Sequence, residues 1–129
     1  MSKAHVLIID DNVKNVNVLA NLLDDEDISH TEVTNPHRLE QTFESIEGVN
    51  LVFLDLEMPG IDGYQVLAHI KSDERFTGVP VIAYTVHVSE IHAASQSGFD
   101  GFLGKPIDPD RFPDQIARLL RGEAVWTTT

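Results

Sequence analysis

The sequence predicts an α/β fold in which a parallel sheet of five strands lies between two layers of helices. Short apolar runs rich in β-branched residues alternate with longer stretches whose apolar residues recur at helical spacing. Three of those runs are apolar almost throughout, as parallel strands covered on both faces require. The chain has 129 residues and 42% hydrophobic content, enough for one domain with one core.

Residues 5–10, HVLIID, form the first predicted strand, and Val13, Val16, Ala20 and Leu23 place a helix after it. Asp11 and Asn12 are favourable caps for that helix. Residues 28–33, ISHTEV, give the second strand, and the polar His30 and Glu32 within it make it a sheet edge; PHRLEQTFESI supplies the next helix. The third unit is NLVFLD, residues 50–55, followed by GYQVLAHIKS. Between them Met58 and Pro59 fix a loop, and Asp62-Gly63 shape the turn into the helix. VPVIAYT, residues 79–85, and VSEIHAASQS form the fourth unit, and GFLGK, residues 101–105, with PDQIARLL the fifth. A proline deep in a helix would clash with the preceding turn, so residues 108–112 are expected to form a separate turn and the last helix to begin near Pro113. The domain is expected to span residues 1–121. Residues 122–129, GEAVWTTT, show no periodicity and read as a tail or the start of a linker.

Right-handed crossovers leave few orders for five parallel strands, and the commonest is the flavodoxin-like (βα)5 order 2-1-3-4-5. Such a sheet reverses direction between strands 1 and 3, and ligands bind at the carboxyl ends of the strands flanking the reversal. The residues falling there are Asp10 and Asp11, Asp55, Thr85 and Lys105.

Crowded carboxylates raise one another's pKa unless a cation neutralises them. An acid-rich pocket of oxygen donors favours a hard divalent ion such as Mg²⁺, bound with a phosphate. Lys105 and the Thr85 hydroxyl suit the oxygens of a phosphoryl group, and Asp55 is placed as a nucleophile that would form an acyl phosphate.

Composition excludes several other classes. The net charge of -12 opposes the counterion release that drives nucleic-acid binding, and no basic cluster offsets it. With no cysteine there are neither disulfides nor thiolate metal sites. The N-terminal apolar run is too short for a signal peptide or membrane span, so the chain reads as cytoplasmic and soluble. Of the six histidines, His87 and His92 lie five apart and do not share a helical face, and no other pair is better spaced for a metal.

At these residues the chain resembles the receiver domain of two-component response regulators. IIDDN at 8–12, DLEMPGIDG at 55–63, Thr85 after an apolar strand and GFLGKPI at 101–107 occur in the family's order, and the resemblance covers residues 5–121. It implies that Asp10 and Asp11 hold Mg²⁺, with Asp55 and the backbone carbonyl of Glu57 completing the protein ligands. Asp55 would be the phosphoacceptor, taking its phosphoryl group from a phosphohistidine on a histidine kinase or histidine phosphotransfer protein. Thr85 and Lys105 would contact the phosphoryl oxygens, and Phe102 matches the aromatic that turns inward when Thr85 moves. Pro106 matches a position where the family places a cis peptide. The output would be an unknown downstream protein, since no residues remain for an effector domain, and a homodimer is compatible with it.

Departures from the family pattern shape the remaining expectations. Val86 stands where receivers usually carry a small residue, so it is expected to restrict the approach of water and small phosphodonors; Glu57 lies in the zone that tunes hydrolysis. Residues 85–98 are about two shorter than in most receivers, which abbreviates the loop before the fourth helix or its first turn. Two other classes compete with a phosphoryl-accepting switch. One is a receiver working as a phosphorylation-independent binding module. The other is a small phosphohydrolase resembling the haloacid dehalogenases, which need a second Asp where this chain has Glu57. A flavin-binding flavodoxin is disfavoured because Asp10 and Asp11 would repel the phosphate.

Overall fold

The structure is a computed structural model describing residues 4–128; residues 1–3 and 129, the ends of the expected domain and tail, lie outside the described residues. Strands β1 (His5–Ile9), β2 (Ser29–Val33), β3 (Leu51–Asp55), β6 (Val81–Thr85) and β7 (Gly101–Gly104) alternate with helices α1 (Val13–Asp25), α2 (Leu39–Ser45), α3 (Gly63–Ser72), α4 (Ile91–Ser97) and α5 (Phe112–Leu120). A two-residue hairpin, β4 (Glu57–Met58) with β5 (Ile61–Asp62), turns at Pro59-Gly60. Gly60 adopts φ +74° there, which a side chain would strain.

All strands of the main sheet run parallel, in the order β2-β1-β3-β6-β7 and then β8 (Trp126–Thr127). The first five strands reproduce the flavodoxin-like order expected from sequence. Alternate residues of β1, β3, β6 and β7 feed two cores. Val6, Ile8, Phe53, Ile82 and Leu103 pack with Val16, Leu19 and Leu23 of α1 and Ile116 and Leu119 of α5. Leu7, Ile9, Leu54, Ala83 and Phe102 face Phe43 of α2, Val66 and Ile70 of α3 and Ala94 of α4. Both faces are therefore covered, which is why β1, β3 and β6 are apolar except at His5, Asp55 and Tyr84-Thr85 at their ends.

The helix starts follow from their caps. Asn12, not Asp11, caps α1, accepting from the Asn15 N–H at 3.1 Å, and Asp62 caps α3 by accepting from the Tyr64 N–H at 2.9 Å. Helix α5 begins with Pro113 in its first turn, after a turn closed by the Phe112 N–H to Asp108 carbonyl bond at 3.0 Å. A single 3₁₀ turn over Val88–Glu90 leads into the fourth helix, and the Lys105–Pro106 bond is cis.

Residues 122–128 differ from the expected tail. Val125 is buried, its carbonyl accepts from the Phe102 N–H at 2.8 Å, and Trp126 and Thr127 pair with Phe102 and Leu103, giving a sixth strand. Two glycines of β7 make room for it. A Cβ on Gly101 would lie 2.8 Å from the Val125 carbonyl oxygen, and one on Gly104 2.5 Å from that of Thr128. Glycine weakens a strand unless another backbone comes close, and here one does.

Candidate functional site

Pairing places Ile9 level with Leu54 and Asp55 level with Tyr84, so the chain leaves β1 at Asp10 beside the end of β3. Asp10, Asp11 and Asp55 each offer a carboxylate oxygen within 4.8 Å of the others. Asp10 and Asp55 are buried, at 0% and 3% exposure, while Asp11 is half-buried at the rim. Across from them the Lys105 ammonium reaches to 3.1 Å from Asp10 Oδ2 and 3.4 Å from Asp55 Oδ1.

The two buried carboxylates are further held by local backbone. The Asn12 N–H donates to Asp10 Oδ1 at 2.9 Å, and the Glu57 N–H donates to Asp55 Oδ1 at 3.0 Å. Burial above all, with a smaller contribution from the neighbouring Asp10, pushes the Asp55 carboxyl up to about 7 against the opposing pull of the Glu57 N–H and Lys105. One lysine thus does not balance the acidic cluster. Three oxygen donors with excess negative charge fit a hard divalent cation such as Mg²⁺ better than a soft metal.

Thr85 is fully buried at the end of β6, and its Oγ1 accepts from the His87 N–H at 3.1 Å, so its own hydrogen remains to be donated. Thr85 and Phe102 belong to the α4 side of the sheet, and Phe102 is already fully buried there, opposite Ala83. Val86 is 60% exposed, so its side chain is not buried among the three acids. The Glu57 side chain is also exposed and contributes its backbone rather than its carboxylate to Asp55; its Oε1 lies 3.8 Å from His87 Nε2.

Tyr84 was not among the residues expected here. Its hydroxyl donates to Asp10 Oδ2 at 2.7 Å, and its ring lies under Lys105, with Nζ 4.2 Å from the centroid. Burial, then the charge of Asp10, drives the phenol far above the usual tyrosine range, so it stays a donor. In the sequence this residue looks like one more β-former in an apolar run.

A doubly wound parallel sheet with an acidic cluster and a lysine at its switch point defines an α/β protein whose candidate site lies where such folds bind their ligands. Residues 6–117 match the response regulator receiver domain family, and the chain belongs to it. Sensor histidine kinase GacS of Pseudomonas protegens is 36% identical over 107 residues, which cover 79% of this chain and 12% of that protein. Response regulator Rre1 of Synechocystis is 39% identical over 72 residues, 54% of this chain and 31% of that protein. The chain therefore spans less than a third of either relative. Among solved structures, the receiver domain of sensor histidine kinase PA1611 from Pseudomonas aeruginosa PAO1, with a magnesium ion coordinated in its active site cleft, superposes with TM-score 0.79 at 22% identity. That match covers 93% of this chain and 99% of the other, and at that identity it shows the shared fold. Receiver domains generally accept phosphoryl groups rather than turn over substrate. Among the described residues no helix is long and apolar enough to cross a membrane.

Proposed function

We propose that this chain is a phosphoryl-accepting switch in which Asp55 takes a phosphoryl group from a phosphohistidine of a histidine kinase or histidine phosphotransfer protein. The observation that carries the reading is the convergence of the Asp10, Asp11 and Asp55 carboxylates within 4.8 Å, with Lys105 Nζ 3.4 Å from Asp55.

Asp10, Asp11, Asp55 and the backbone carbonyl of Glu57 would hold Mg²⁺, which when bound neutralises charge on the carboxylates and on the donor phosphoryl oxygens. An Asp55 oxygen attacks phosphorus, the P–N bond to the donor imidazole breaks, and that nitrogen keeps the bonding pair. Lys105 moves its contacts from Asp10 and Asp55 to the new phosphoryl oxygens, and the Thr85 hydroxyl donates to another. The new group adds roughly two negative charges, which Thr85 approaches only by shifting the end of β6. Phe102 lies on the same side of the sheet, so the shift reaches the surface between α4 and α5 through Thr85 and Phe102 together. Output is binding of a downstream protein, with homodimerisation as one form of it, in the cytoplasm. Val86 and Glu57 at the rim set access for water and small donors.

Intact mass spectrometry after incubation with Mg²⁺ and phosphorylated candidate kinases tests this. One phosphoryl group is expected on the wild type and none on Asp55→Asn. Equal labelling of Asp55→Asn, or no labelling of the wild type by any kinase, would overturn it.

A further inference from the structure

Tyr84 contacts two members of the acidic site at once. Its ring is only 1% exposed and is fixed edge-on against Phe53, with centroids 5.9 Å apart and planes at 71°. The hydroxyl, at 2.7 Å from Asp10 Oδ2, and the Asn12 N–H, at 2.9 Å from Oδ1, grip that carboxylate from both ends. Rotation about its terminal bond would break one or both contacts. The same ring carries Lys105 Nζ at 4.2 Å, while that ammonium also reaches Asp10 and Asp55. A cation over an aromatic face is attracted to it, so the ring favours the place where Lys105 meets both acids. Phenylalanine would fill the same volume without a buried hydroxyl that needs a partner, and the partner here is a carboxylate of the acidic cluster.

Building on the function proposed above, we propose that Tyr84 is a positioning residue for phosphoryl transfer. Its hydroxyl aligns Asp10 for the divalent cation, and its ring holds the Lys105 ammonium between Asp10 and Asp55. Outer partners of metal ligands commonly change affinity by 10–100-fold when removed, and a cation held in place speeds transfer without altering cation affinity to the same degree.

Two substitutions separate these effects in the full chain. Tyr84→Phe removes only the hydroxyl, whereas Tyr84→Leu also removes the ring. Mn²⁺ binding, followed by the loss of the free-ion electron paramagnetic resonance signal, is expected to weaken about tenfold in Tyr84→Phe, with the Asp55 labelling rate at saturating Mg²⁺ falling less than about threefold. Tyr84→Leu is expected to bind Mn²⁺ as weakly and also to label about fivefold more slowly than Tyr84→Phe at saturating Mg²⁺. Should circular dichroism show Tyr84→Leu unfolded, Tyr84→Met, closer in length, takes its place. Unchanged Mn²⁺ affinity in Tyr84→Phe refutes the hydroxyl's role, and equal labelling of the phenylalanine and aliphatic variants refutes the ring's. A wild type that binds no Mn²⁺ and accepts no phosphoryl group instead refutes the underlying function, so the two failures are distinguishable.

Discussion

Replacing Asp55 by Asn in protein stripped of divalent cations is expected to stabilise the fold at neutral pH, although the substitution removes the phosphoacceptor. Asp55 is buried and its carboxyl is raised from 3.8 to about 7, first by burial and then by Asp10. The folded state therefore binds a proton more tightly than the unfolded chain does, and stability contributed by this group is lost as pH rises through the window from 3.8 to about 7. Three pH units at 1.36 kcal/mol each set a ceiling of about 4 kcal/mol. Water entry and movement of Lys105 lower that, and we expect about 1–3 kcal/mol at pH 8. For a domain of this size the change corresponds to a rise in Tm of roughly 4–12 °C. Urea denaturation in EDTA at pH 5 and pH 8 measures it, and the advantage of Asp55→Asn should widen toward pH 8. Saturating Mg²⁺ should narrow it again, because the wild type gains about 2.7 kcal/mol at a hundredfold excess over its Kd and the variant lacks one ligand. A gap independent of pH, or a variant less stable than the wild type throughout, would refute the argument that burial and repulsion dominate at Asp55.

Lys105→Met removes the cation that contacts Asp10 and Asp55 and should destabilise the cation-free protein by about 2 kcal/mol in urea melts, less than a fully broken buried pair because Asp55 can take up a proton. Gly104→Val places a Cβ 2.5 Å from the Thr128 carbonyl oxygen, so β8 should detach; amide exchange at Phe102 should quicken and the emission of Trp126, the sole tryptophan, should shift to the red. Val86→Ala should speed both labelling by acetyl phosphate and loss of the label by about threefold or more, close to 0.7 kcal/mol in barrier; equal rates would remove Val86 from the access path.

The parallel order was legible because strands buried on both faces must be continuously apolar, and β1, β3 and β6 carry that mark plainly. Strand β8 was not. Two residues have no measurable period, and its partners on the sheet are backbone groups that any sequence possesses. The hint lay elsewhere, in Gly101 and Gly104. A strand that gives up two side chains in four residues has conceded space to another backbone, and the carbonyls of Val125 and Thr128 use it. Phe102 shows a related limit, since an aromatic in a central strand reads the same whether it moves or is permanently buried.

The site illustrates how far parity alone can be taken. Asp10, Asp11, Asp55, Thr85 and Lys105 were found because each ends a strand near the reversal, a property visible in one dimension. Tyr84 needed a second step, combining strand order with side-chain alternation. Register sets Asp55 beside Tyr84, and Ile9 beside Leu54 puts Asp10 in the same row. Val6 and Ile8 share one core with Leu51 and Phe53 and with Ile82 and Tyr84, so Asp10 and Asp55, two residues beyond Ile8 and Phe53, point to the face that Tyr84 occupies. Thr85, one residue on, falls on the opposite face with Ala83 and Phe102. A tyrosine in that row, on that face, has its hydroxyl near the acids because no other side chain of the row separates them once β3 contributes a short Asp. The same count explains why Thr85 shares a face with Phe102 while Tyr84 contacts Asp10 and Lys105. One β-strand end thus serves both halves of the proposed switch, its even residue ordering the acids and its odd residue carrying the response.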